Sequence, residues 1–267
     1  MLKDITIGQY FPGKSVVHRL DPRYKIILTG IFIAMLFVAK SFSGLGLSIV
    51  FILMAFLLSK IPFKLMLKSL KPIIPILIFT GILNLVFIEG GKTLFELWFI
   101  KITTEGLKTS SFMVIRIICL IIGTSLLTYT TSPIALTDAI ERLLSPLKKI
   151  KLPVHELAMM MTIALRFIPT LIEETDKIIQ AQKARGADLE TGSLIQRAKA
   201  LIPILIPLIV SSFRRAEELA LAMECRCYHG GEGRTRMRQL KAGLRDFIAL
   251  ILTLAFLGAV IAINILM

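Results

Sequence analysis

Two arginines late in the chain stand in matched surroundings, and their side chains could bind a partner. Arg185 lies between Ala184 and Gly186, and Arg226 lies between Cys225 and Cys227, in each case where a helical pattern stops. A guanidinium group can hold a carboxylate through two hydrogen bonds, and a small preceding residue lets the backbone approach a groove. A positive charge near a helix end is also favoured by the helix dipole. Two interpretations are therefore open, docking to a partner and simple helix capping.

Residues for other chemistry are few. Cys225, Cys227 and His229 are close enough in sequence to suggest a metal site, but residues two apart on a helix point about 200° apart and cannot share an ion while the helix persists. The other two histidines, His18 and His155, are far apart along the chain. The hydrolase motifs HExxH and GxSxG are absent, and we also predict that no Walker A loop is present. We expect a protein that is not an enzyme and has no metal and no cofactor of its own.

The composition indicates that a membrane protein carries these residues. Of 267 residues, 55% are hydrophobic and only 19% are charged, yet the formal net charge is +14. A soluble domain has about a quarter charged residues, and nucleic-acid binders rarely contain several apolar stretches of bilayer length. Five stretches are predicted to span the membrane: 24–39, 42–58, 72–88, 110–129 and 247–266.

The charge distribution predicts the orientation of these spans. Lysines and arginines are concentrated before the first span and between the second and third, whereas acids and bases nearly cancel between the third and fourth. Because short cytoplasmic loops are enriched in Lys and Arg, the N-terminus is predicted to be cytoplasmic. Arg116, inside the fourth span, is predicted to snorkel or to cap a neighbouring helix. The basic run before the last span could bind nucleic acid, but its position favours a role in topology and contact with anionic lipid.

A long charged segment separates the fourth and fifth spans and is predicted to form two long helices. One runs from Pro153 to Arg185 and the other starts at Ser193, and each is apolar in its first half and charged in its second. Such a helix is expected to begin at the bilayer surface and to end in water or at a protein partner. The predicted domains are 1–131 with four spans, 132–244 as a cytoplasmic or interfacial helical coupling domain, and 245–267 with the last span.

Three segments resemble motifs of the transmembrane T components of energy-coupling factor (ECF) transporters, which are ABC-type uptake systems. They are Gln182–Asp188, Ala222–Tyr228 together with residues 230–236, and His18–Lys25 before the first span. The resemblance covers nearly the whole chain, with the motifs in the same order and the same topology. The chain departs from the family pattern at Cys225 and Cys227, which replace the usual small alanine and glycine.

The resemblance implies an all-α polytopic scaffold in a prokaryotic cell membrane, without a substrate site of its own, for vitamin or metal-ion uptake. Two long helices would cross in the cytoplasm, and each arginine would engage a groove on one of two ABC-type ATPases, which bind ATP and Mg²⁺. The residues implied for this docking are Ala184, Arg185, Gly186, Cys225, Arg226 and Cys227. The membrane-facing parts of the same helices would hold a separate substrate-binding S component. The residues implied for that contact are Leu157, Met160, Met161, Leu165, Leu201, Leu205 and Leu208. The alternative is a permease of another ABC class with its own substrate path.

Overall fold

The computed structural model describes residues 10–88, 90, 92–97, 100–146, 153–187, 193–230 and 240–266. These residues are almost entirely helical. The helices are α1 (Pro22–Val38), α2 (Phe42–Ser59), α3 (Phe63–Leu70), α4 (Ile74–Phe87), α5 (Thr104–Thr130), α6 (Pro133–Leu144), α7 (Val154–Ala184), α8 (Leu194–Glu224) and α9 (Leu244–Leu266). A short 3-10 turn, Lys71–Ile73, joins α3 to α4. The prediction of an all-α polytopic fold is confirmed.

One small feature was not predicted, an antiparallel hairpin between α4 and α5. It consists of β1 (Thr93–Leu97) and β2 (Ile100–Thr103). In its register, Thr93 pairs with Thr103 and Leu97 pairs with Ile100. The hairpin lies in the loop where acids and bases nearly cancel, and it shortens the connection between two long apolar helices.

The described residues divide into two compact units. One contains α6, α7 and α8, and the other contains α1 to α5, the hairpin and α9. The core of the second unit is formed by α1, α2, α5 and α9 around Phe32, whose ring centroid lies 5.8 Å from that of Phe51. Gly123 of α5 faces Phe32 so closely that a Cβ atom at residue 123 would overlap the ring. The spacing of α1 and α5 therefore depends on this glycine.

Within the described ranges, five helical stretches are long and apolar enough to cross a membrane, as judged by length and composition. They are Phe42–Ser59, Phe63–Phe87, Thr104–Thr130, Val154–Ala184 and Leu244–Leu266. The number agrees with the prediction of about five, but the membership differs. The first predicted span corresponds to α1, which has 17 residues and is at the lower limit for a span. The long helix α7, which was predicted to belong to the coupling domain, takes its place among the five.

The third predicted span begins earlier than expected. Its limits were placed at 72–88, whereas the helical stretch starts at Phe63. Pro72 was expected to open a new helix, but it lies in the 3-10 turn that continues α3 into α4. Proline is tolerated there because it lies in the first positions of the 3-10 turn, where a missing backbone N–H costs little.

The segment His18–Lys25 fastens the start of α1 to the ends of two other helices. Asp246, at the start of α9, accepts hydrogen bonds from the backbone N–H groups of Asp21 (2.8 Å) and Gly243 (2.7 Å). The Lys25 ammonium group donates to the carbonyl oxygen of Thr130 at the end of α5 (2.8 Å). This segment of the family resemblance thus has a structural role at one end of the unit.

Arg116 performs the capping role predicted for it. Its Nη2 atom donates a 2.6 Å hydrogen bond to the carbonyl oxygen of Ala39, directly after the end of α1. The guanidinium carbon lies 4.5 Å from the centroid of the Phe112 ring, which is a cation–π distance. The charge is therefore used to satisfy a helix end and to pack on an aromatic ring.

Candidate functional site

The candidate site consists of α7 and α8, two helices of 31 residues each. Ser193 caps α8: its hydroxyl accepts from the N–H of Gln196 (3.4 Å), and the Gln196 side chain accepts from the N–H of Ser193 (2.9 Å). This reciprocal pair is a capping box. Both helices continue through internal prolines, at Pro169 in α7 and at Pro203 and Pro207 in α8.

The two helices end in the same hydrogen-bonded turn. At the end of α7, Ala187 N–H donates to Gln182 C=O and Gly186 N–H donates to Lys183 C=O, both at 3.0 Å. At the end of α8, Tyr228 N–H donates to Met223 C=O (3.1 Å) and Cys227 N–H donates to Glu224 C=O (2.8 Å). Both patterns are Schellman motifs, in which one residue just beyond the helix adopts a left-handed conformation.

The left-handed residue is Gly186 in the first motif, with φ +84°, and Cys227 in the second, with φ +56°. The cysteine was expected to weaken a glycine-type stop at this position. The structure shows that Cys227 adopts the conformation all the same. Arg185 is equivalent to Arg226, because the two turns have the same backbone hydrogen bonds and each arginine precedes its left-handed residue by one position.

Both arginine side chains are available to a partner. Arg185 and Arg226 are exposed, as are Ala184 and Cys225 before them. Within the described parts of the chain, neither guanidinium group has a hydrogen-bond or ion-pair partner. The hydrogen bonds that close both helix ends are made by the backbone, and in the described residues neither arginine side chain adds one to them.

An ion pair that sequence reasoning missed joins the two helices. Arg215 of α8 donates to Oε2 of Glu174 in α7 through Nη2 (2.8 Å) and Nε (3.1 Å). The Ser211 hydroxyl donates to the other carboxylate oxygen, Oε1. Both oxygens of the carboxylate are thus engaged from α8. The only sequence signal was the alternation of acids and bases along both helices, which offers many pairings and selects none.

A second contact gives the relative direction of the helices. The Gln182 side chain donates to the carbonyl oxygen of Pro203 (3.3 Å). Glu174 contacts Arg215, whereas Gln182, later in α7, contacts Pro203, which is earlier in α8. The two helices therefore pack antiparallel. Arg185 lies eleven residues beyond Glu174 and Arg226 lies eleven residues beyond Arg215. Each arginine is thus about 16 Å of helix away from the ion pair, in opposite directions.

The apolar parts of the two helices expose most of the residues implied for S-component contact. Leu157, Met160 and Met161 on α7 are 46–55% exposed, and Leu201 and Leu205 on α8 are 51% and 49% exposed. Leu165 and Leu208 are half-buried. An exposed apolar surface of this kind, carried by long helices, is typical of contact with lipid or with another membrane protein.

The cysteines and histidines form no candidate metal centre in the described ranges. No group of three His, Cys, Asp or Glu side chains found there could hold an ion. His18 bonds the Ser15 hydroxyl at 2.7 Å, and His155 bonds Glu141 at 3.1 Å, so both have partners within their own unit. The helix-spacing argument against a metal at Cys227 does not apply, because α8 ends at Glu224.

The prediction that the sequence lacks a Walker A pattern is wrong. Gly8, Gly13, Lys14 and Ser15 have the required spacing. In a working phosphate-binding loop, a helix follows directly and its N-terminus holds the phosphate. Here residues 10–14 are irregular and residues 15–20 form turns. The Ser15 hydroxyl, which would bind the metal of a nucleotide, is bonded to His18.

Comparisons with known proteins agree with the family resemblance. The family model described as "CbiQ: Cobalt transport protein" matches residues 13–237. Three similar relatives each bear the name "Energy-coupling factor transporter transmembrane protein EcfT". The relative from Clostridium kluyveri is 60% identical, with 93% of each chain covered. The relative from Bacillus subtilis is 50% identical over 90% of this chain and 91% of its own. The relative from Lactococcus lactis is 47% identical over 94% of each.

Proposed function

The chain belongs to the CbiQ family, and we propose that, as the transmembrane component of an ECF transporter, it couples ATP hydrolysis by two cytoplasmic ABC-type ATPases to the reorientation of an S component. The scaffold itself is non-catalytic in this proposal, and ATP and Mg²⁺ are bound by the partner ATPases. The substrate, a vitamin or a metal ion, is bound by the S component. The protein lies in the cell membrane with its N-terminus and coupling domain on the cytoplasmic side.

One observation carries the proposal, the equivalence of the two exposed arginines. A scaffold that binds two similar ATPases needs two similar contact points. The turns that end α7 and α8 have the same backbone hydrogen bonds, and each carries at the same position an arginine without a hydrogen-bonded partner among the described residues. The fork of a guanidinium group suits a carboxylate in a groove. The small residues Ala184 and Cys225 leave room for the groove to close on the backbone.

The ion pair between Glu174 and Arg215 supports a lever mechanism. It joins the helices about 16 Å from each arginine, so a change in the distance between the two docked ATPases would act on both helices through this contact. The apolar halves of α7 and α8, on the far side of the ion pair along each helix, carry the residues proposed to hold the S component. Closure of the ATPases would thereby move the surface on which the S component rests.

The docking step is tested by charge reversal and co-purification with the ATPases. Arg185→Glu and Arg226→Glu should each weaken ATPase binding by at least about 2 kcal/mol, or roughly 30-fold, because the arginine's partner is left desolvated and faces a like charge. Arg214→Glu is the matched control, since Arg214 is also exposed on α8 but is not at a helix end. Unchanged co-purification of the Arg185→Glu/Arg226→Glu double variant would refute the docking role.

A second arm of the same experiment tests the S-component surface. Met160→Asp and Leu205→Asp should reduce capture of the S component without loss of the ATPases, because each places a charge in an apolar contact. Ile195→Asp is the control, as Ile195 is 71% exposed on α8 but outside the proposed contact. Transport in proteoliposomes that contain the ATPases and no S component would instead favour a permease with its own substrate path.

A further inference from the structure

A cavity of about 360 Å³ lies in the second unit, between α1, α2, α5 and α9. Its volume is within the range of about 300–1,000 Å³ that is typical of small-molecule sites. The wall is made mostly of aliphatic and aromatic side chains, among them Phe32, Ile52, Leu126 and Leu252. Of the described residues that line it, none belongs to α7 or α8.

Apart from its cations, the wall offers few hydrogen-bond partners to water. Three threonines contribute to it, and each hydroxyl already donates to a carbonyl oxygen of its own helix. The bonds are Thr29 to Lys25 (2.8 Å), Thr130 to Leu126 (2.8 Å) and Thr253 to Ala249 (2.7 Å). A buried water needs two to four polar partners. The cavity therefore favours an apolar occupant.

Two cations line the same cavity, Lys25 and Arg245. Lys25 is 5% exposed, and two of its three N–H groups donate to the carbonyl oxygens of Thr130 and His18. Arg245 is exposed and has no hydrogen-bonded partner among the residues that the structure describes. The occupant that such a site suits has an apolar body and an anionic head.

Nearby acids do not cancel these charges. Asp21 is paired with Arg23 at 2.7 Å, and Asp246 accepts hydrogen bonds from two backbone N–H groups. Among the described residues, these two carboxylates are outnumbered by the three cations Arg23, Lys25 and Arg245, so the charges beside the cavity do not cancel.

The depth of the cavity matches one leaflet of a bilayer. It reaches from the start of α1 to Phe32, from the end of α2 to Phe51, from the end of α5 to Gly123, and from the start of α9 to Thr253. These distances are about 10–15 Å of helix, which is close to half of a hydrocarbon core of about 30 Å. Leu58 and Val16 line the cavity and are 49% and 52% exposed, so it opens to the outside of the unit.

We propose that this cavity binds an anionic phospholipid, with one acyl chain between α1, α2, α5 and α9 and the phosphate group at Arg245 and Lys25. Basic pockets between membrane helices are known to bind anionic headgroups. The lipid would fill the space next to the Asp21–Asp246 contact. It would thereby stabilise the end of the bundle where the start of α1 is bonded to the start of α9 and to the end of α5.

The test uses the delipidated full-length chain and native mass spectrometry. Phosphatidylglycerol, phosphatidylcholine with the same acyl chains, and oleate are titrated in turn. We expect one phosphatidylglycerol per chain, bound about fivefold more tightly than phosphatidylcholine through the cationic contact. Arg245→Gln should abolish that preference, whereas Lys241→Gln, at a neighbouring exposed position that does not line the cavity, should keep it.

Filling the cavity tests the acyl-chain site. Ala249→Phe and Ala55→Phe each place a ring in the cavity from a different helix and should weaken phosphatidylglycerol binding about tenfold or more. Ala255→Phe is the control on α9, since Ala255 is exposed and does not line the cavity. Wild-type binding by both filled variants, each shown to be folded by circular dichroism, would overturn the proposal. Equal affinity for phosphatidylcholine, or oleate binding as tightly as phosphatidylglycerol, would overturn it as well.

Discussion

Removal of the Glu174–Arg215 ion pair should separate the stability of the α7–α8 pair from its function. The Arg215 guanidinium makes two hydrogen bonds to Oε2 of Glu174, at 2.8 and 3.1 Å, and the Ser211 hydroxyl engages Oε1. The Arg215 side chain is 37% exposed and the Glu174 side chain is 21% exposed. An exposed pair contributes about 0–1 kcal/mol and a charged hydrogen bond about 1.5–3 kcal/mol. For this half-exposed geometry we expect a coupling energy of about 1–2 kcal/mol.

A double-mutant cycle measures this coupling. Glu174→Gln and Arg215→Gln should each lower the free energy of unfolding by about 1–2 kcal/mol, and the double variant should lose little more than either single one. The exchanged pair Glu174→Arg/Arg215→Glu should recover part of the loss. In reconstituted transporters, the single variants should keep the ATPase activity of the partners but transport less substrate per ATP.

The neighbouring residues Glu173 and Arg214 provide the control cycle. Both are exposed, and no hydrogen bond or ion pair joins them within the described part of the chain. Their Gln variants should therefore be additive to within about 0.5 kcal/mol. Equal coupling in the two cycles, or additivity at Glu174 and Arg215, would refute the role of the ion pair as the contact that couples α7 to α8.

Two further predictions concern backbone positions and are measured by thermal unfolding of the purified protein. Cys227→Gly should raise stability by about 0.5–1 kcal/mol because it removes a left-handed non-glycine residue, whereas Cys225→Gly, at right-handed φ −59°, should lower it by a similar amount. Equal effects of the two changes would contradict this assignment. Gly123→Ala should cost about 1–3 kcal/mol through overlap with the buried ring of Phe32. Gly30→Ala, where the added methyl group meets nothing within 4 Å, should cost nothing, and a comparable loss there would contradict overlap with Phe32 as the cause.

The apolar spans could be predicted because lipid imposes a length and a charge limit that are visible in one dimension. Lys25 shows where this reasoning fails. It lies inside the first predicted span, and its burial depends on the carbonyl oxygens of His18 and Thr130. Thr130 is more than a hundred residues away, so no local pattern could indicate the contact.

Close helix packing was equally hard to locate from the sequence. Gly30 and Ala34 on α1 have the small-xxx-small spacing that permits close helix packing, but a Cβ atom at residue 30 would meet nothing within 4 Å. The close approach is instead at Gly123, which faces Phe32. No glycine, alanine, serine or threonine stands four residues before or after Gly123 to mark it in the sequence. Which glycine faces a neighbour depends on the rotation of two helices about their axes, and a motif on one helix does not contain that information.

The matched arginines were visible in the sequence, but the reason for their equivalence was not. Cysteine has no preference for the left-handed region, so residue types alone align Gly186 with Cys227 only weakly. The hydrogen bonds supply the alignment, because both ends close with the same pair of backbone bonds. What the two ends share is therefore the placement of arginine one residue before the left-handed turn and eleven residues beyond the ion pair. If docking depends on that placement, moving Arg226 by one residue should be as damaging as removing its charge, although every residue type at the helix end would be kept.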